Sequence, residues 1–279
     1  PPSIILIVYG VAAGVSISRL FIAGILPGLL LIALFMGYIA VWALLNRERV
    51  PAPEPRIPYL RRIRATAGLF PILGLMVVVI GSIYAGFATA TEAAAVGVVG
   101  ALLLSAATGS LTRASFVASV AGAVRTTAMV TLILAAAAFL SVSMGFTGIP
   151  RNLASWVGSL GLSSFELLMA LTLLFVVMGC FLDGISIVVL TAAVIMPMVE
   201  AAGIDLIWFG IYMVVVIEMS QITPPVGINL FILQSMTGRN ILWVAVAALP
   251  FFLLLIVATV ILILFPGIAT FLPSLMTRG

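Results

Sequence analysis

The sequence predicts an all-α polytopic membrane protein built from inverted repeats, with broken helices and a re-entrant hairpin. Three observations carry that expectation. Of 279 residues, 64% are hydrophobic and 7% charged, and the mean hydropathy is +1.40; a soluble domain carries about 25% charge. An apolar run from Leu206 to Leu233 is interrupted by Gln221-Ile222-Thr223-Pro224-Pro225-Val226-Gly227-Ile228-Asn229. The Pro-Pro pair then recurs: slid by 223 positions, Pro1-Pro2 falls on Pro224-Pro225, Leu26-Pro27 on Leu249-Pro250 and Leu30-Leu31 on Leu253-Leu254. Biased composition can mimic a repeat, but two separated proline landmarks without a gap favour a genuine one.

The break is the informative stretch. Two prolines remove two amide donors and clash with the preceding turn, Thr223 is pushed out of the α region by the proline after it, and Gly227 can adopt conformations that other residues avoid. In lipid such a break is tolerated only where protein or a cavity surrounds it. Secondary transporters hold ions and substrates at interrupted helices of this kind.

Composition also excludes. The single cysteine, Cys180, forms no internal disulfide, the absence of histidine removes an imidazole metal site or relay, and all twelve basic residues are arginines. The Pro1-Pro2-Ser3 start carries no leader pattern and reads as a cut through a longer protein. On the repeat reading, about 160 residues precede it, roughly the length of the second-repeat section before Pro224.

Taken in order, residues to about Val15 read as a half-helix after a first break, Ser16–Leu20 as a polar turn, and 21–45 as a span. Residues 46–65 hold six arginines, two glutamates and four prolines, and read as a cytoplasmic linker between repeats. Residues 1–45 then end a first repeat, and 66–279 form a second. Within it, 67–87 and 93–107 read as spans, joined by a turn in which Thr91 is a helix cap and Glu92 sits at the positive end of the dipole. Ser110–Arg125 reads as an amphipathic surface helix, 126–145 as a span, and Leu153–Leu160 as an interfacial helix anchored by Trp156. Residues 165–202 are interrupted at Gly179–Ser186 and read as a re-entrant hairpin. The broken helix covers about 206–235, Thr237–Asn240 is a turn, and 241–265 is the last span. Trp208 and Trp243 read as interface anchors like Trp156.

With the linker inside, nine arginines are cytoplasmic, and only Arg19, Arg151 and Arg278 lie outside, as the positive-inside rule requires. The spans after the two Pro-Pro pairs then end on opposite sides, so the repeats are inverted, the arrangement needed for alternating access.

Ile222-Thr223-Pro224-Pro225-Val226-Gly227-Ile228-Asn229-Leu230-Phe231 resembles the signature of the large membrane subunit, DctM-like, of tripartite ATP-independent periplasmic (TRAP) transporters. Gly179-Cys180-Phe181-Leu182-Asp183-Gly184 is similar to that family's Gly-Met-Phe-Leu-Asp segment, with Cys180 at the usual methionine. Gly86–Ala95 resembles its Pro-Thr-Glu-Ala-Ala segment, with Ala90 at the expected proline, and Pro1-Pro2-Ser3 matches the first-repeat motif. The resemblance covers essentially the whole chain and fits the C-terminal two-thirds of such a subunit.

The resemblance implies an elevator-type carrier of the ion-transporter superfamily, in the bacterial inner membrane. It implies sodium-coupled uptake of organic acids, C4-dicarboxylates or sialic acids, delivered by a periplasmic substrate-binding protein. A small membrane subunit is the expected partner, lipid bilayer the medium, and nucleic acid no partner. No cofactor beyond sodium as coupling ion is expected, and no enzymatic activity. Sodium is a hard cation that takes oxygen ligands, by analogy with other hard cations. The expected ion-binding residues are Gly179, Asp183, Ser186, Thr223, Pro224, Gly227 and Asn229. The expected substrate-binding residues are Ser3, Gly184, Gln221 and Pro225, with half-helix N-termini near Ile185 and Gly227 facing a carboxylate.

Each singled-out residue has a structural alternative. Asp183 can cap the second hairpin arm, Glu218 can brace a neighbouring helix, Glu92 can be a cap, and Cys180 can be packing. A sodium/anion symporter working without a binding protein is the alternative carrier. A pore would need a continuous polar lining, whereas the polar groups cluster at two interruptions. An intramembrane aspartyl protease needs two facing aspartates, and Asp183 is the only one read as intramembrane. One ion site falls in the expected upstream segment, so residues 1–279 alone are not expected to transport.

Overall fold

The computed structural model describes residues 3–50, 58, 66–224 and 227–276. Among these are thirteen α-helices and no strand: α1 (Ile4–Ala12), α2 (Ile17–Ala23), α3 (Ile25–Leu45), α4 (Phe70–Tyr84), α5 (Ala90–Ala107), α6 (Arg113–Thr147), α7 (Ile149–Ser159), α8 (Ser164–Gly179), α9 (Gly184–Ala201), α10 (Leu206–Gln221), α11 (Ile228–Thr237), α12 (Ile241–Leu264) and α13 (Gly267–Met276). Five described stretches are long and apolar enough to cross a membrane: Ile17–Leu45, Ala90–Ala107, Arg113–Thr147, Gly184–Ala201 and Ile241–Leu264. The linker expected at 46–65 lies mostly outside the described residues; Arg47–Arg49 form one 3-10 turn.

The chain divides into two compact units, Pro1–Tyr38 with Thr131–Gly279, and Ile39–Val130. The first is built around α10. Twelve of its sixteen residues are buried, the pattern of a helix surrounded on all sides. It packs against α1, α2, α8, α9, α11, α12 and α13. Lipid tails are as apolar as leucine, so such helices associate through close packing and hydrogen bonds rather than through the hydrophobic effect. Gly210 supplies the close packing: a Cβ there would lie 2.5 Å from Tyr9 Cε1. The hydrogen bonds come from aromatic rims. Tyr9 Oη donates to the Leu206 carbonyl at 2.6 Å, Tyr212 Oη to that of Leu168 at 2.7 Å, and Trp208 Nε1 to that of Leu262 at 3.2 Å. Interhelical bonds of this type contribute about 0.6 kcal/mol each on average, so they fix register more than they supply stability.

The second unit is organised by the antiparallel neighbours α4 and α5. Gly97 and Gly100 of α5 face Val79 and Leu75, and a Cβ at Gly100 would overlap the Leu75 side chain. This is the small-residue contact that lets membrane helices approach.

Several expectations change. Ser16 is not part of a turn reaching Leu20; its hydroxyl accepts from the Arg19 amide and caps α2. The cap of α5 is Thr89 rather than Thr91. Thr89 Oγ1 accepts from Glu92 N at 3.3 Å, and Glu92 Oε2 accepts from Thr89 N at 2.8 Å. Thr-x-x-Glu spacing makes that reciprocal box possible, and Thr91 lies inside the first turn. The surface helix expected at Ser110–Arg125 and the span after it are one continuous 35-residue helix, α6. It contains no proline, and an isolated Gly122 costs only about 1 kcal/mol against alanine. Trp208 is no interface anchor: it is 5% exposed, stacked on Tyr212 with centroids 5.5 Å apart. Trp156 and Trp243 are exposed. A terminal helix that the pattern does not announce, α13, packs on α2 and α10.

After each Pro-Pro pair the chain forms a short helix, although α2 and α3 are two helices where the later stretch, α12, is one. A nine-residue α1 and a ten-residue α11 each begin within four residues of a Pro-Pro pair. Each is followed by a left-handed glycine, Gly14 and Gly238, both with φ 66°. A long apolar stretch containing Pro27 or Pro250 then follows.

Candidate functional site

Two interruptions meet in the first unit. The hairpin arm α8 starts with a capping box, Ser163 with Glu166, and runs to Gly179. Cys180–Asp183 form the tip, and α9 leaves from Gly184. Asp183 makes that departure possible. Its Oδ2 accepts from the amides of Ile185 at 3.1 Å and Ser186 at 3.2 Å, and Ser186 Oγ donates to Oδ1. These are the orphan donors of a helix start. Asp183 is therefore a cap, with its carboxylate exposed.

The second interruption follows α10. Thr223 N donates to the Ser220 carbonyl at 3.1 Å and Thr223 Oγ1 to that of Met219 at 2.9 Å, which ends α10 in a tight turn. Gly227 restarts the chain with φ 38°, and α11 begins at Ile228. Pro225 lies outside the described residues, as do Pro1 and Pro2.

The tip docks on the break. Gly227 N donates to the Cys180 carbonyl at 3.3 Å, and the Cys180 thiol, with one proton, lies 3.2 Å from the Val176 carbonyl of its own helix and 3.4 Å from the Pro224 carbonyl. Gly179 lies so close to Ser220 that a Cβ would overlap its side chain. A Cβ on Gly184 would sit 2.9 Å from Gln221 Nε2, 3.0 Å from Ile217 Cγ2 and 2.5 Å from Ile5 Cδ1. The contact with Ile5 brings the first turn of α1 beside that of α9. Ser3, half-buried and extended, enters α1 without a side-chain cap bond.

The expected residues therefore gather as follows. Gly179, Asp183, Gly184 and Ser186 stand at the tip and the start of α9. Gln221, Thr223, Pro224 and Gly227 stand on the break facing it. Asn229 is in the first turn of α11, half-buried. The Gln221 and Asn229 amides have no hydrogen-bond partner among the described residues. Glu92 belongs to the second unit and acts as a cap. Glu218 also faces elsewhere: 217, 220 and 221 lie toward the hairpin, whereas Glu218 and Ile222, one helical turn apart, line an apolar cleft against α12.

The donors at the juncture are carbonyls, hydroxyls and amides, with one carboxylate already used as a cap. Among the described residues no cluster of three His, Cys, Asp or Glu side chains forms. Such a set suits a hard monovalent cation better than a transition metal. Three helix N-termini, those of α1, α9 and α11, border the same juncture, and their partial positive ends favour an anion.

Two participants escape the sequence reading. Ser220 is fully buried and forms the floor under Gly179; only a small residue one turn before Thr223 hints at it. Cys180 reaches the break through its backbone carbonyl, which accepts from Gly227 N. Nothing in its composition announces that contact.

The sequence pattern described as "Tripartite ATP-independent periplasmic transporter, DctM component" matches residues 1–268. The chain is similar to the C4-dicarboxylate TRAP transporter large permease protein DctM of Pseudomonas aeruginosa, 36% identical over 277 residues, which cover 98% of this chain and 64% of that protein. It is similar to the ectoine TRAP transporter large permease protein TeaC of Halomonas elongata, 35% identical over 280 residues, covering 100% and 65%. The ectoine/5-hydroxyectoine TRAP transporter large permease protein UehC of Ruegeria pomeroyi is 33% identical over 279 residues, covering 99% and 64%. The chain thus spans just under two thirds of the length of these relatives.

Proposed function

The chain belongs to the DctM component family of tripartite ATP-independent periplasmic transporters, and from that premise we propose that it carries one coupling site of a sodium-driven organic-acid permease. Family membership makes it a multi-pass protein of the inner membrane, in a family of permease subunits rather than enzymes. The docking of the hairpin tip on the broken helix, through Gly227 N to the Cys180 carbonyl, carries the reading.

Sodium binds between tip and break. Backbone carbonyls near Gly179, Thr223, Pro224 and Gly227 take part, with the side-chain oxygens of Thr223, Ser186 and Asn229, and Asp183 behind them. A substrate carboxylate lies against the N-terminal turns of α9 and α11, near Gly184, Gln221 and Pro225, with Ser3 approaching from α1. Filling the ion site tightens the tip against the break and orders the anion site, which couples the two bindings. Residues 1–45 and 66–279 belong to two inverted repeats, whose exchange of exposure moves the site between the two sides.

The substrate is a small organic acid. Relatives that handle C4-dicarboxylate and ectoine support the class and leave the member open. A periplasmic binding protein delivers it, and a small membrane subunit completes the permease.

Reconstitution of the complete parent subunit with its small subunit in proteoliposomes tests this. Uptake of labelled organic acids is followed with and without an inward sodium gradient, and with and without the binding protein. Uptake requiring both is expected. Sodium-driven uptake without the binding protein points to a symporter, and gradient-independent flux sinks the coupled reading.

A further inference from the structure

Within the second unit, a groove of about 540 Å³ runs up from the turn that joins α5 to α6. α5 packs on α4 through its glycine face, and the groove opens along another face, between α5 and the first three turns of α6. Its lining is graded. All four hydroxyls, those of Ser105, Ser110, Ser115 and Ser119, come from the last turn of α5, the connecting turn and the first two turns of α6, whereas Val98, Ala101 and Ala123 line the far end. Ser110 and Ser115 build the turn: Ser115 Oγ accepts from Thr112 N at 2.8 Å, and Ser110 Oγ donates to the Ser105 carbonyl at 3.2 Å. The Ser105 and Ser119 hydroxyls have no hydrogen-bond partner among the described residues, although a helical serine can bond the carbonyl one turn back. Arg113 precedes Phe116 by three residues and Val120 by seven, which puts it on the stripe of α6 that lines the groove. It is exposed, with no hydrogen bond or ion pair among the described residues. Arg125 falls on the opposite side of α6 by helical register.

We propose that this groove binds one anionic phospholipid, with its phosphate at Arg113 and one acyl chain laid between α5 and α6. Charge selects the occupant: Arg113 is the only charged residue between Glu92, at the far end of α5, and Arg125. Arginine bias places the α5–α6 turn on the cytoplasmic side, where basic sites between membrane helices take anionic headgroups. Polarity selects it as well. Hydroxyls beside the turn and apolar walls beyond them follow the order of a phospholipid, headgroup and esters first and hydrocarbon after. The free Ser105 and Ser119 hydroxyls fall at the level of the esters, whose carbonyl oxygens accept from them where water is scarce. A soluble phosphate would satisfy Arg113 and leave the apolar half of the groove empty.

The complete subunit is placed in phosphatidylcholine nanodiscs with a trace of phospholipid carrying a photoactivatable diazirine on one acyl chain, either phosphatidylglycerol or phosphatidylcholine. Labelled peptides are mapped by mass spectrometry, and at trace level the labelling ratio reads relative affinity. Phosphatidylglycerol is expected to label residues 98–123 about fivefold more than phosphatidylcholine, the preference that one arginine confers beside anionic lipid. Arg113→Gln removes that preference and Arg125→Gln keeps it. Ala101→Trp fills the groove and lowers labelling by both lipids with Arg113 in place. All three positions are exposed, so the Tm stays at the wild-type value. Soluble sn-glycerol 3-phosphate does not displace the lipid. Equal labelling by the two lipids, a preference that survives Arg113→Gln or is lost equally in Arg125→Gln, labelling indifferent to Ala101→Trp, or displacement by sn-glycerol 3-phosphate overturns the inference.

Discussion

Gly179 and Ser220 leave no room for a further carbon between hairpin and broken helix. Gly179→Ala therefore destabilises by about 1–3 kcal/mol through overpacking. Ser220→Gly, which costs about 0.5 kcal/mol in helix propensity alone, recovers part of that loss in the double variant. A thermal-unfolding double-mutant cycle in nanodiscs reads the coupling; simple additivity contradicts the contact. Asp183 separates two roles. Asp183→Ala loses the cap at about 1 kcal/mol, whereas asparagine caps as well as aspartate. If the charge also serves the ion, Asp183→Asn keeps wild-type Tm and still weakens sodium activation of uptake. If both variants lower Tm equally, the capping account fails. Gly227, at φ 38°, is a third such position: alanine there costs about 1–2 kcal/mol in the left-handed region, read as a lower Tm, and an unchanged Tm contradicts the backbone conformation.

At the scale of elements, breaks were far more legible than continuities. Pro224-Pro225 and Asp183-Gly184 announce interruptions because proline and a capping aspartate act on their own neighbours. Helices accordingly stop at Gly179 and Gln221 and restart at Gly184 and Ile228. Continuity is a tertiary matter. Nothing local distinguishes the 35-residue α6 from a surface helix followed by a span, and the arginines at 113 and 125 favoured the wrong division. Thr126→Pro tests the difference. At the first position of a separate helix proline is tolerated, whereas inside a continuous one it costs about 3 kcal/mol. A marked fall in Tm is expected, and an unchanged Tm restores the two-helix reading. Trp208 failed for a related reason: an aromatic with a polar tip suits an interface and a buried helix crossing equally well until its hydrogen-bond partner, the Leu262 carbonyl, is known. The docking of Cys180 on the break was illegible because contacts between distant segments leave no periodic trace.

For the whole molecule, α10 is the fixed post of the first unit, buried along most of its length, and the proposed chemistry hangs from its C-terminal end. Composition and the two motifs were enough for the membrane class and the family. The side of the bilayer on which each turn lies rests on arginine bias alone. The coupling claim is the one on which the functional account stands, and sodium activation of uptake tests it most directly. In proteoliposomes holding the complete subunit, its small partner and the binding protein, initial uptake is measured against external sodium for wild type, Thr223→Ala and Asn229→Ala. The account predicts that half-saturating sodium rises at least tenfold in both variants, about 1.4 kcal/mol of lost ion binding, with the Tm retained in Asn229→Ala and lowered in Thr223→Ala by the loss of its bond to the Met219 carbonyl, about 1 kcal/mol. Sodium curves that coincide with wild type in both variants would contradict it.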